Sequence, residues 1–199
     1  MDNQLTTLGL QLPTDPRWVN IAEMNLEDIL IDHAFCEQKA ATSCISLIVK
    51  YPDKESLVDT LMPVVDEEWG HFRRVVKELK KRGFKLTHKR KDEYVAELAK
   101  CLRKTGNRDE NMMEELLMCA MIEARSAERF KLLSEQIGDE NLRKFYRELM
   151  ISEAGHYRNF LELAEEYLPK EKVRKRWKEL LDQEAEIMRN LEVRNDRFH

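Results

Sequence analysis

A carboxylate and an imidazole three residues apart on a helix project to the same side, and this chain carries that pair twice, as Glu68-Trp69-Gly70-His71 and as Glu153-Ala154-Gly155-His156. One Glu-x-x-His in a charged helical sequence is by default a solvated surface pair. The repetition argues otherwise, because each copy has a lone helical glutamate upstream, Glu37 before the first pair and Glu123 before the second. Corresponding residues of the two copies are 86, 85 and 85 positions apart. Duplication of one helix pair accounts for offsets that nearly equal.

Length and composition narrow what surrounds these residues. A chain of 199 residues is large enough for one domain with a real core, so a single domain over 1–199 is expected. Six glycines, five prolines and 36% charged residues describe long amphipathic helices with wet outer faces. No apolar run approaches the roughly 18–20 residues that cross a bilayer, and the N-terminus lacks a basic start followed by an apolar signal segment. A cytoplasmic protein without membrane contact is therefore expected. Cys36, Cys44, Cys101 and Cys119 show no Cys-x-x-Cys spacing, three of them lie in apolar helical pattern, and they read as reduced core thiols.

Along the chain, residues 1–17 show no sustained period and read as a lead-in lying on the domain. Helix one is expected over about 20–51, with Leu30, His33, Glu37, Ala40, Cys44 and Leu47 on one face. Tyr51-Pro52-Asp53 stops it and offers Asp53 as the next cap. Helix two, over about 53–83, aligns Leu57, Leu61, Val64, Glu68, His71, Val75 and Leu79, and ends at Gly83 after a cationic turn. Helices three and four are expected over about 111–138 and 139–168, carrying Glu123 and then Glu153 and His156 on their apolar faces. A further helix is expected over about 170–194. The connection 84–110 holds a short helix near Asp92 to Arg103. It is basic, with eleven Lys or Arg against three acids between Lys80 and Arg108, although the chain is net −4. Such a run is either a solvated face or a local footprint for a polyanion.

Four helices of matching length imply an all-α fold, a ferritin-like four-helix bundle with a long crossover between helices 2 and 3 and an extra C-terminal helix. Glu37, Glu68, His71, Glu123, Glu153 and His156 lie near the helix middles on apolar faces, where a carboxylate is costly to bury unless paired or bound to a cation. Four carboxylates and two imidazoles are the donor set of dinuclear carboxylate metal sites.

The segments Ile29-Leu30-Ile31-Asp32-His33-Ala34-Phe35-Cys36-Glu37-Gln38-Lys39-Ala40-Ala41 and Ile122-Glu123-Ala124-Arg125-Ser126-Ala127-Glu128-Arg129-Phe130 resemble the first and third helices of the tRNA 2-methylthio-isopentenyladenosine hydroxylases, the MiaE family. The likeness continues through Glu67-Glu68-Trp69-Gly70-His71-Phe72, Lys80-Lys81-Arg82-Gly83, Phe145-Tyr146 and Ser152-Glu153-Ala154-Gly155-His156, and spans Trp18 to the end of the chain. It implies a non-haem di-iron monooxygenase with iron ligands at Glu37, Glu68, His71, Glu123, Glu153 and His156. The implied reaction is hydroxylation of the isopentenyl group on the modified adenosine next to the anticodon, with dioxygen as co-substrate and two electrons from an external reductase. The implied partner is a tRNA anticodon stem-loop rather than DNA, bound by a monomer or small homo-oligomer. Candidate phosphate contacts are Lys80, Lys81, Arg82, Lys85, Lys89, Arg90, Lys91, Arg103, Lys104, Arg174, Lys175 and Arg176. The competing readings are a bacterioferritin-like ferroxidase or iron store, and a di-metal peroxidase.

Overall fold

The structure is a computed structural model that describes residues 7–88 and 92–191. Among these residues every regular element is helical. A 3-10 turn at Thr7–Gly9 precedes α1 (Arg17–Met24), α2 (Leu26–Lys50), α3 (Glu55–Lys81), α4 (Glu93–Lys100), α5 (Arg108–Gln136), α6 (Glu140–Tyr167) and α7 (Lys170–Asn190). None of them is long and apolar enough to cross a membrane. Contacts divide the described chain into two compact units, one running from Asn20 to residue 88, the other taking the residues up to Val19 and those from Asp92 onward.

The first of these units is the α2–α3 pair. Its inward stripe on α3 is Leu57, Leu61, Val64, Glu68, His71, Val75 and Leu79, the three-and-four spacing of one helix face. Ligand-type residues thus replace apolar ones within the stripe without shifting its period. Gly83 (φ 78°) ends α3: its N–H donates to the Lys80 carbonyl at 3.1 Å and that of Phe84 to Leu79 at 3.0 Å, the paired closure of a left-handed cap. Two expectations fail locally. The helix expected from Asn20 to Tyr51 is broken at Asn25 (φ −124°, ψ 39°), whose Nδ2 donates to the Ile21 carbonyl at 2.9 Å. The N-cap of α3 is Lys54 rather than Asp53.

In the other unit α5 pairs with α6, and α7 and the N-terminal segment complete it. Asn107 caps α5 by accepting from the N–H groups of Asp109 and Glu110, and Asp139 caps α6 by accepting from those of Asn141 and Leu142. A buried charge network ties the remaining pieces to α5. Arg125 donates to Glu184 on α7 at 2.9 and 2.7 Å, to Glu128 at 2.8 Å and to the Leu12 carbonyl at 2.9 Å. Thr14 closes it by donating from its backbone N–H and its hydroxyl to Glu128, both at 2.7 Å. The N-terminal segment is consequently part of the core, with Leu10 and Thr14 buried, and not a strand of chain laid over it. Truncating one partner would leave a buried charge uncompensated, which costs about 3–5 kcal/mol. Among the cysteines only Cys44 is buried, and all four are free thiols.

Candidate metal centre

Each unit holds one copy of the duplicated donor set. In the α2–α3 pair, Glu37 comes from the middle of α2, and Glu68 and His71 from the middle of α3. One donor atom from each lies within 4.8 Å of the other two. His71 Nδ1 is 3.6 Å from Glu37 Oε2 and 3.8 Å from Glu68 Oε2. In the α5–α6 pair, Glu123, Glu153 and His156 again offer donor atoms within 4.8 Å of one another, with His156 Nδ1 3.6 Å from Glu153 Oε2. The same ring nitrogen faces the same partner in both copies, so the repeat seen in sequence is also a repeat of geometry.

These groups are enclosed. Glu68 is 0% exposed and Glu153 2%, and the other four are also buried, none above 6%. Ionised carboxylates at such positions demand a proton or a cation. Separations of 3.6–3.8 Å are too long for hydrogen bonds but short enough for one cation to touch both donors at about 2.0–2.2 Å. Carboxylate oxygens with one imidazole nitrogen per triad suit first-row divalent metals of the iron and manganese type. The residues therefore fit a metal.

His33 is a member of the site that spacing alone did not assign. It sits one turn before Glu37 on α2, buried, with Nε2 2.5 Å from Glu37 Oε1. Its signal in the sequence was the four-residue step His33-x-x-x-Glu37 inside an apolar stripe. Small side chains flank both lone glutamates at matching positions: Ala34 and Ala41 around Glu37, Ala120 and Ala127 around Glu123, all buried.

The candidate phosphate contacts fare unevenly. Lys80, Lys81, Lys85, Lys104 and Lys175 are exposed. Lys81 and Arg82 both approach Glu78, Arg103 donates to Glu179 at 2.9 Å, and Arg174 donates to Glu165 at 2.9 Å. Arg176 is a correction: it is 3% exposed, with its guanidinium on Glu114 at 2.6 and 2.8 Å and on the Cys101 carbonyl at 2.7 Å, so it is a core ion pair and not a surface cation. Lys89, Arg90 and Lys91 lie outside the described residues. The end of the crossover and the start of α7 meet in a cleft of about 240 Å³ lined by Arg103, Lys172, Lys175 and Arg176. Glu179, Glu110 and Glu114 already hold three of those four cations, which leaves the cleft with little net attraction for an anion.

The sequence profile of the family described as tRNA-(MS2IO6A)-hydroxylase (MiaE) matches residues 4–199. Two relatives carry the name tRNA 2-(methylsulfanyl)-N(6)-isopentenyladenosine(37) hydroxylase. The protein from Pseudomonas putida is 37% identical over 158 residues, which is 79% of this chain and 76% of that one. The protein from Salmonella typhimurium is 28% identical over 206 residues, 79% of this chain and 75% of its own length. Among solved structures, a protein from Synechococcus described as having aldehyde deformylating oxygenase activity superposes with a TM-score of 0.88 at 34% identity, covering 94% of this chain and 92% of that one.

Proposed function

The chain belongs to the MiaE family of tRNA hydroxylases, and from that premise we propose that Glu37, Glu68, His71, Glu123, Glu153 and His156 together hold two iron ions within one ferritin-like domain. It is an enzyme, a tRNA-modifying hydroxylase, and the reading assigned to it is hydroxylation of the isopentenyl group of 2-methylthio-isopentenyladenosine next to the anticodon. The observation that carries the metal assignment is the pair of buried triads with matching geometry, one per helix pair.

Charge supports the count. Four carboxylates balance two divalent cations, so a dry interior accepts the six groups once both ions are present, which neither triad achieves by protonation alone without losing its donors. Bound iron supplies activation of dioxygen toward an unactivated C–H bond, chemistry that amino-acid side chains lack. In the overall balance the substrate C–H, dioxygen, two electrons and two protons give the alcohol and water. An external reductase delivers the electrons.

The residues of this chain do the rest. Each histidine presents Nδ1 toward the carboxylate three residues before it, which fixes the ring nitrogen that binds. His33 holds Glu37 by its other oxygen, orienting one lone carboxylate from the same helix. Ala34 and Ala41 beside Glu37, and Ala120 and Ala127 beside Glu123, keep side-chain volume low around each lone glutamate. An unstacked base of a single-stranded loop can reach a buried centre in a way that a paired base cannot.

The test is mass spectrometry of nucleosides from isopentenylated tRNA after incubation with iron-loaded protein, a reductant and dioxygen. The reading expects the modified nucleoside to gain one oxygen atom. Iron-loaded protein that consumes dioxygen yet leaves the nucleoside mass unchanged contradicts it. An iron-storage role requires a multi-subunit shell, and a solution mass near that of one or two 23.7 kDa chains argues against it.

A further inference from the structure

The outer face of α3 carries chemistry that the buried ligands do not use. Trp69 directly follows Glu68, so it leaves the helix about 100° away from that ligand, and it stands 46% exposed. A single exposed apolar side chain needs no explanation. This one is held in place: Phe72 stacks on the indole with ring centroids 4.8 Å apart and planes inclined by 28°.

The same face continues as a row of cations. Arg73, Lys77 and Lys80 follow Trp69 at steps of four, four and three residues, and all are exposed. At 100° per residue they fall within about 80° of Trp69 around the helix, and the row spans about 16 Å along it. No ion pair among the described residues engages these three side chains. The one carboxylate between Trp69 and Lys81 is Glu78, which lies about 180° round the helix from Trp69 and is engaged by Lys81 and Arg82. An aromatic plate followed by evenly spaced cations, with Asp66 the exposed carboxylate one turn before the plate on the same face, matches a single-stranded polynucleotide, in which bases stack on rings of any identity and phosphates follow positive charge.

Resting on the tRNA hydroxylase reading above, we infer that the outer face of α3 seats the anticodon loop. Trp69 stacks a base neighbouring the one that enters the metal centre, and Arg73, Lys77 and Lys80 track the phosphates that follow. Glu68 and His71 on the inner face of the same helix and Trp69 on the outer face therefore act on adjoining nucleotides, and α3 sets their spacing.

The experiment measures binding of a synthetic anticodon stem-loop RNA bearing 2-methylthio-isopentenyladenosine to the full iron-loaded chain across a salt series. Trp69→Ala is expected to bind about tenfold or more weakly, with iron content and melting temperature unchanged, and Trp69→Phe to recover most of the loss. Replacing Arg73 and Lys77 by Ala together is expected to lower the slope of log affinity against log salt by about 1.4, the value for two lost phosphate contacts to a single strand. Trp69→Ala binding the stem-loop within about twofold of the wild type, with the wild type itself binding, overturns the seat on α3 and leaves the hydroxylase reading standing. A wild-type chain that does not bind the stem-loop overturns both. A fall in solution mass from dimer to monomer in Trp69→Ala assigns the face to a second copy of the chain and overturns the seat as well.

Discussion

His33 Nε2 stands 2.5 Å from Glu37 Oε1, one turn back along α2, with both side chains buried. The other oxygen of that carboxylate faces His71 on α3. Glu37 is thus gripped from behind by its own helix and presented forward to the neighbouring one. Groups that orient metal ligands in this way commonly contribute about 10–100-fold to metal affinity. His33→Ala is expected to weaken ferrous binding by that order while leaving the helical content intact. Anaerobic iron titration followed by circular dichroism checks it, and unchanged affinity contradicts the role given to His33.

Gly70 and Gly155 each precede a histidine of one buried triad in the middle of a long helix, and a Cβ placed on either meets nothing within 4 Å. Neither is there to admit close packing. Glycine inside a helix is about 0.5–1 kcal/mol less favourable than alanine because it gives up more backbone freedom on folding. Gly70→Ala and Gly155→Ala should each raise the urea midpoint by a corresponding amount, with ferrous affinity unaltered. A lower midpoint would show that these positions need something only glycine provides.

The two buried triads were legible because their constraint is local: a three-residue step on a helix fixes which side chains share a face, and repetition after 85 residues separates Glu68 and Glu153 from the many surface glutamates. The ends of α3 and α6 were legible for the same reason, through Gly83 and Asp139. What sequence missed depends on partners far along the chain. Arg176 lies in a basic run, and only the approach of Glu114 from α5 turns it into a core ion pair. The N-terminal segment has no helical period, yet Leu12 and Thr14 are fixed by Arg125 and Glu128, more than 110 positions away. The break at Asn25 turns on one side-chain amide reaching back to Ile21, which an apolar pattern does not register.

Glu184 gives a pH dependence with a definite sign. Two nitrogens of Arg125 and the Tyr94 hydroxyl all donate to its Oε1, while Oε2 receives no hydrogen bond among the described residues. Burial holds this carboxyl above its ordinary value of 4.5, against the opposing pull of Arg125. Just above 4.5 the unfolded chain has released the proton and the folded chain still keeps it. The folded state binds more protons there, so this group's contribution to stability falls as pH rises through the window. Glu184→Gln, which cannot ionise, should flatten that part of the profile. Thermal melts of both proteins from about pH 4 to 7 decide it, and superimposable slopes contradict the assignment.

The most direct measurement of the central claim is the number of ferrous ions that the chain binds without oxygen. The proposed di-iron reading predicts saturation at two ions per chain, with most of that binding lost when Glu68 and Glu153 are both replaced by Ala. Absence of saturable binding, or two ions still bound after both replacements, would contradict it.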